Sequence, residues 1–494
     1  GGLKPLADYV HAKGLKLGVH LMRGIPRKAV EQNTRVLGTA RRASEVYSKE
    51  WLCPWLPDMY TVDATKEGAQ EYYNSVFDLY ASWGLDFVKI DDLSFPYHQD
   101  EIELIRKAID QCGRKIVLSA SPGETPIENG KHVMEHANMW RVIGDLWDRW
   151  EQVKVLFDVC DRWSPYIGKG HFPDADMLPL GRIGIRAEMG DDRPTALSPE
   201  EQRTLMSLFA IFRSPLMFGG DMPSMDDATL QLLTNKEMLY VNQHSADNRQ
   251  LYRKGDLVAW TADDPETGDK FLAVFNLQDQ VPVIESKACW KSQRLSLVEN
   301  KLWEDVDIAL PEDARRLYLY VSDAKNGNFY DHADWLNPTL HGNEGTLKLT
   351  DLKWVDATTG WGSVMPGKSV SNLPLCVDGV EYADGIGVHA NSVIEYDLPE
   401  GYNRFTARVG LDKGCAGHSD GASVQFFVFT QDPSGPKPAP ASPIKVDFAD
   451  LGLQGTYYVK DLWTHEVVGE FTDSFAPEIK LHDAGLYRIS KKKA

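Results

Sequence analysis

The chain has 494 residues, 43% of them hydrophobic and 25% charged, with a formal net charge of −19. One core stops growing near ~250–300 residues, so two or three domains are expected. The acidic balance argues against nucleic acid and anionic membranes as partners, because both need a basic footprint, and no apolar run approaches the ~20 residues of a membrane span.

The first half alternates helix and strand signals. A helix ending at Gly14 leads into a strand at 17–22 (LGVHLM). An amphipathic helix over 69–83 precedes a strand at 86–90 (DFVKI), and a helix over 101–111 precedes one at 115–120 (KIVLSA). Further strands are expected at 139–143 (MWRVI), 177–180 and, after a helix over 199–212, at 215–218 (PLMF). Short apolar strands alternating with helices predict a parallel sheet covered by helices. The fold class is α/β, a (β/α)8-type TIM barrel. Only six such strands are legible where a closed barrel needs eight, and Gly1-Gly2-Leu3 runs straight into a helix. Two βα units of ~30 residues each are therefore expected upstream of Gly1. A doubly wound sheet is the alternative, but no glycine-rich phosphate loop follows a strand.

Beyond about Val241 the pattern changes to alternating strands at 257–261, 270–276, 316–322, 423–430 and 456–462, which predicts antiparallel sandwiches. Pro433–Pro443 (PSGPKPAPASP) reads as a stiff linker. The six cysteines form no C-x-x-C pair and are expected to be mainly buried free thiols.

Polar residues collect at the C-terminal ends of the first-half strands: Lys89 and Asp91, Ser119 and Ser121, Arg141 and Asp145, Asp174 and Asp176. Glycoside hydrolysis commonly uses one ionised and one protonated carboxyl group, so their surroundings must differ. Alternation puts Lys89 on the same side as Asp91, where its cation favours the ionised form that a nucleophile needs. Asp145 lies between Trp140 and Trp147, whose indoles would exclude water around a proton donor. Arg141 can fork two hydrogen bonds to sugar hydroxyls or a carboxylate. Any one of these acids alone reads more readily as a helix cap or ion-pair partner, and Asp92 could cap the helix that follows.

Together, K-L-G-V-H at 16–20, V-K-I-D at 88–91, W-R-V-I-G-D at 140–145, D-A-D-M-L at 174–178 and R-S-P-L-M-F at 213–218 resemble glycoside hydrolase family 27, the melibiase-type α-galactosidases and α-N-acetylgalactosaminidases. The resemblance implies Asp91 as nucleophile and Asp145 as acid/base in a double displacement with retention on terminal α-galactosides, with α-N-acetylgalactosaminidase or β-L-arabinopyranosidase activity as one alternative and carbohydrate binding without catalysis as another. It implies Lys89 and Arg141 as sugar-binding residues, with Asp176 in support. It also implies that His20 stands where the family has a tyrosine and that a W-D-D motif lies upstream. Ser119, Ala120 and Trp140 complete the expected substrate-binding set. The small residues Ala120 and Gly123 would leave room for a 2-acetamido group. No metal or cofactor is implied. The expected partner is a galactose-terminated oligosaccharide or polysaccharide, and the expected location secreted or periplasmic.

A second resemblance lies in the C-terminal half. Residues 352–362 (LKWVDATTGWG) and 385–390 (GIGVHA) look like the beginning and middle of an NPCBM-type carbohydrate-binding jelly roll, and 317–335 looks like its end. The expected domains are a catalytic barrel (1–242), a C-terminal antiparallel β domain (243–285 plus 443–494), and a circularly permuted NPCBM-like β-sandwich inserted at 286–435. Trp335, Trp354, Trp361 and His389 are platform candidates for sugar stacking, with core packing the favoured reading. Asp323, Asp331 and Asp334 have the oxygen chemistry of a Ca²⁺ site, but their spacing is not an EF-hand and surface turns account for them better.

Overall fold

The computed structural model describes residues 2–186, 191–278, 283–324, 328, 330–343, 345–415, 422–435 and 439–492. Gly1 and residues 436–438 of the expected linker fall outside them. The chain divides into two compact units. One comprises Gly1–Asp148, Leu156–Asn276 and Ser442–Ala494, the other Arg149–Val155 and Leu277–Ala441.

In the first unit, β1 (Gly18–Met22), β2 (Phe87–Asp91), β3 (Val117–Ala120), β4 (Met139–Arg141) and β5 (Phe172–Asp174) form a parallel sheet in that order. The short strands β6 (Met177–Leu178) and β7 (Met217–Phe218) form a separate parallel pair. The sequence reading placed the fifth strand at 177–180. It is instead Phe172–Asp174 that joins the sheet, in a stretch where Pro173 and two aspartates had masked the strand signal.

Parallel strands buried on one face and functional on the other need two kinds of row. Val88, Ile90, Leu118, Ala120 and Trp140 are fully buried and occupy one face. His20, Lys89 and Ser119 are register partners and occupy the other. The helix Ala69–Trp83 feeds β2 through Gly84, whose φ of 83° lets Leu85 N–H reach the Tyr80 carbonyl and close the helix.

A six-stranded antiparallel sheet also belongs to this unit. Its order is Ala246–Lys254, Leu257–Asp263, Lys270–Asn276, Ala484–Ser490, Thr456–Asp461, Val467–Thr472. Segments on both sides of 277–441 thus share one sheet, with Phe271 opposite Arg488 and Phe275 opposite Ala484. The helix Pro199–Phe212 packs against it. Trp463 Nε1 donates to Ser207 Oγ at 3.0 Å, and Thr204 Oγ1 donates to the His482 carbonyl at 2.7 Å.

The second unit is a sandwich of two antiparallel sheets. One runs Trp290–Lys291, Ser423–Phe429, Arg316–Ser322, Ser392–Asp397, Asp356–Thr358. The other runs Trp303–Ala309, Tyr402–Leu411, His332–Gly342, Gly385–His389, Met365–Pro366. Trp335 is fully buried between them, edge-on to Phe426 with ring centroids 5.0 Å apart. It is core rather than a platform, Trp354 packs on the same core, and His389 is buried. Trp361 is half-buried and stacks on His332 at 5.4 Å. Asp331 and Asp334 are buried, not surface turns; Asp331 Oδ1 accepts the Ser423 N–H at 2.8 Å. Among the described residues no group of three or more His, Cys, Asp or Glu could hold a metal ion. All six cysteines are free and four are buried; Cys289 is exposed and Cys112 intermediate.

Candidate active site

The C-terminal ends of β1 to β5 bring most of the expected residues together. Asp91 closes β2. Its Oδ1 lies 3.0 Å from Lys89 Nζ and its Oδ2 lies 2.7 Å from His20 Nε2. Burial pushes the Asp91 carboxyl up, but the Lys89 cation and the hydrogen bonds from Lys89 and His20 outweigh it, and the group stays below the usual carboxylate range. His20 is largely exposed, so it is a surface partner of Asp91 rather than a packed imidazole.

Arg141, at the end of β4, is almost fully buried and bridges two acids. Its Nη2 donates to Asp145 Oδ1 at 3.0 Å, and its Nη1 lies 2.7 Å from Asp176 Oδ1. Asp176 adopts a φ of 76°, and its Oδ2 accepts the Leu146 N–H at 2.7 Å, tying the segment that carries Asp145 to the end of β5. Burial raises the Asp176 carboxyl above its ordinary value, against the pull of Arg141. Asp174, fully buried beneath, accepts the Asp176 N–H at 2.9 Å and is pushed up to about 6 by burial, opposed by Arg141.

Asp145 itself is 67% exposed. Of the two indoles expected to shield it, Trp140 stands elsewhere. Trp140 is fully buried on the covered face of the sheet, against Trp163 (6.1 Å) and His171 (6.5 Å). Ala120 is its register partner and is fully buried too, so neither residue is a sugar contact. Gly123 has a φ of 78°, and a Cβ there would meet Phe95 Cβ at 3.0 Å, so the turn requires a glycine.

Ser119 does lie on the Lys89 face, and its Oγ is buried without a hydrogen-bond partner. Ser121, one step further along, also has an unpartnered buried Oγ. Both serines were among the strand-end residues named from the sequence. The sequence reading missed Arg23. Its Nε donates to the Asp92 carbonyl at 2.6 Å, its Nη2 lies 2.9 Å from Asp92 Oδ2, and its Nη1 lies 2.6 Å from Glu101 Oε1. Asp92 is therefore a buried ion-pair partner, not a helix cap. The helix Gln99–Gln111 starts at His98 without a side-chain cap. This network fixes the chain on either side of Asp91, since Arg23 N–H also donates to the Asp91 carbonyl at 3.1 Å.

Comparison with known proteins follows the same outline. The alpha galactosidase A family description matches residues 37–244, and the NPCBM/NEW2 domain matches residues 345–465. Alpha-galactosidase 2 of Arabidopsis thaliana is 28% identical over 52% of this chain and 54% of its own length. Alpha-N-acetylgalactosaminidase of Gallus gallus is 28% identical over 51% of this chain and 55% of its own. The chain thus spans about half the length of these two relatives. The crystal structure of a GH27 β-L-arabinopyranosidase from Geobacillus stearothermophilus is 34% identical, with a TM-score of 0.65, over 99% of this chain and 78% of that one. Identity of that order, sustained across both units, shows that the chain belongs to glycoside hydrolase family 27.

Proposed function

We propose that the protein is a retaining exo-glycoside hydrolase that removes terminal α-linked galactose by double displacement. The observation that carries this reading is the unequal treatment of two acids at one sheet end. Asp91 is clamped by Lys89 and His20 and kept ionised, while Asp145 stands in solvent on Arg141. Asp91 attacks the anomeric carbon as Asp145 protonates the leaving oxygen. Asp145 then takes a proton from water, which displaces the sugar from Asp91 and restores the starting configuration. Arg141 and Lys89 hold sugar hydroxyls, with Asp176 fixing Arg141.

The same reading places the five parallel strands in a (β/α)8 barrel. Their neighbour order follows chain order without reversal, as in a barrel and unlike a doubly wound sheet. The NPCBM-like sandwich is read as a permuted module inserted between two halves of the C-terminal sheet, and the setting as secreted or periplasmic.

A second specificity has its own support. The arabinopyranosidase structure matches nearly the whole chain, and β-L-arabinopyranose is galactose's ring without its C6 carbon. Nitrophenyl α-D-galactoside and β-L-arabinopyranoside, compared by kcat/KM, separate the two.

The mechanism is tested with Asp91→Ala. Turnover is expected to fall by ~10⁴ or more, and azide, small enough to replace the carboxylate, is expected to restore activity as the β-glycosyl azide. Near-normal turnover in the variant, or β-galactose as the first product of the unmutated protein, overturns the reading.

A further inference from the structure

We propose that a cavity of about 370 Å³ beside Trp51 is a second sugar subsite, which takes the pyranose on the leaving-group side of the scissile bond. The proposal rests on the hydrolase reading above and names a substrate contact that the reading lacks.

The cavity lies between the segment 48–64 and the segment 96–101, the latter just beyond the strand end that carries Asp91. Its size falls within the ~300–1,000 Å³ of ligand clefts. Trp51 lines it and is 69% exposed, and Trp55 in the same loop is 52% exposed. Water is an unfavourable place for two neighbouring indoles, and Trp51 also holds a φ of 56°, a region that bulky side chains avoid. Two contacts keep it there. Its carbonyl accepts from Arg23 Nη2, and also from Thr61 Oγ1 at 3.2 Å. Arg23 is the residue that binds Asp92 and the Asp91 carbonyl, so the Trp51 backbone is linked through one side chain to the nucleophile's own peptide.

The rest of the lining suits a neutral polyol. It contains no Lys or Arg, which disfavours an anionic ligand, and it contains Glu50 and Asp63 as acceptors for hydroxyls. The Glu50 carboxylate is exposed and makes no hydrogen bond or ion pair among the described residues. Hydrogen bonds from Thr65 hold Asp63 below its ordinary value, hence ionised. His98 Nε2 is buried without a hydrogen-bond partner among the described residues, and burial lowers this imidazole to about 3, leaving it neutral. A pyranose presents C–H groups on one face and hydroxyls at its rim, which match an indole face bordered by carboxylates.

The test compares two galactosides, melibiose with a glucose leaving group and methyl α-D-galactopyranoside with none beyond a methyl. In Trp51→Ala, kcat/KM on melibiose is expected to fall about tenfold more than on the methyl galactoside, the scale of one lost stacking contact. Trp51→Phe is expected to recover part of that difference. Equal losses on both substrates, or no loss on melibiose, overturn the subsite. If the unmutated protein hydrolyses neither galactoside, the galactosidase reading fails instead. The cavity is then judged by calorimetric titration with melibiose. Binding that Trp51→Ala weakens about tenfold supports the subsite, and absent or unaltered binding overturns it. Melting curves of each variant check that it is folded.

Discussion

Asp91 and Asp174 answer burial in opposite directions, and the difference comes from the partners each can reach. Asp91 has Lys89 and His20 within 3.0 Å, and its carboxyl is lowered. Its stabilising contribution is present above the unfolded value near 3.9 and is lost as the pH falls through the lower folded value. Asp174 is fully buried and must share Arg141 with Asp176 and Asp145, and it rises from 3.8 to about 6. A raised carboxyl binds more protons folded than unfolded. Its contribution is therefore complete below about pH 4 and is lost as the pH rises through 6. At 1.36 kcal/mol per unit, the loss across that window is of order 3 kcal/mol. Asp174→Asn keeps an oxygen for the Asp176 N–H but cannot ionise. Urea unfolding between pH 4 and 7 is expected to show a steeper decline for the unmutated protein than for the variant, in which Asp176 and the other acids raised by burial still titrate. A parallel decline in both would place the titrating group elsewhere.

At the scale of elements, the sequence carried the strand ends well and the parity of neighbouring residues poorly. Lys89, Asp91 and Ser119 were legible because a two-residue period assigns them one face. The same period assigns Ala120 and Trp140 to the other face, and both are buried there. The segment 23–62 was illegible because its helices and strands are only two to five residues long, yet it supplies Arg23 and Trp51 through long-range contacts that no local pattern encodes. Helix bounds were legible at 69–83 and 199–212, but the cap named from the sequence, Asp92, is an ion-pair partner, and the cap that does form at Ser198 was not named. Ser198 accepts the Glu201 N–H at 3.2 Å while Glu201 Oε2 accepts the Ser198 N–H at 2.8 Å, a capping box at the start of Pro199–Phe212. Glu201 Oε1 also lies 2.7 Å from His482 Nδ1, so the box ties this helix to the antiparallel sheet. Ser198→Ala is expected to cost about 1 kcal/mol, read as a lower melting temperature with kcat unchanged. Glu201→Ala should cost more, since it removes the His482 contact as well. Equal effects would mean that the ion pair contributes nothing.

For the whole molecule, the arrangement of the antiparallel sheet allows the sandwich to be removed. The edges of 277–441 lead into strands that already pair: Phe275 stands opposite Ala484, and Asn276 Nδ2 donates to the Ile479 carbonyl at 2.9 Å. On the other side Val446 pairs with Phe475, and the Lys445 carbonyl accepts from Tyr252 Oη at 2.6 Å. Joining Asn276 to Ser442 through a short Gly/Ser linker therefore closes a sheet whose register is fixed from both ends. The one segment with reason to suffer is Arg149–Val155, which groups with the sandwich and sets Arg149 over the Trp361 ring at 5.9 Å. It begins four residues after Asp145, whose carboxylate is held by Arg141 and whose neighbour Leu146 is held by Asp176. The shortened chain is expected to fold and to keep the Asp91 side of the site. Hydrogen exchange should rise selectively over 145–155, and kcat should fall more than KM changes. Increased exchange throughout 246–276 and 456–490 would instead show that the sheet depends on the sandwich. An unchanged kcat would show that Asp145 is positioned by Arg141 and Asp176 alone.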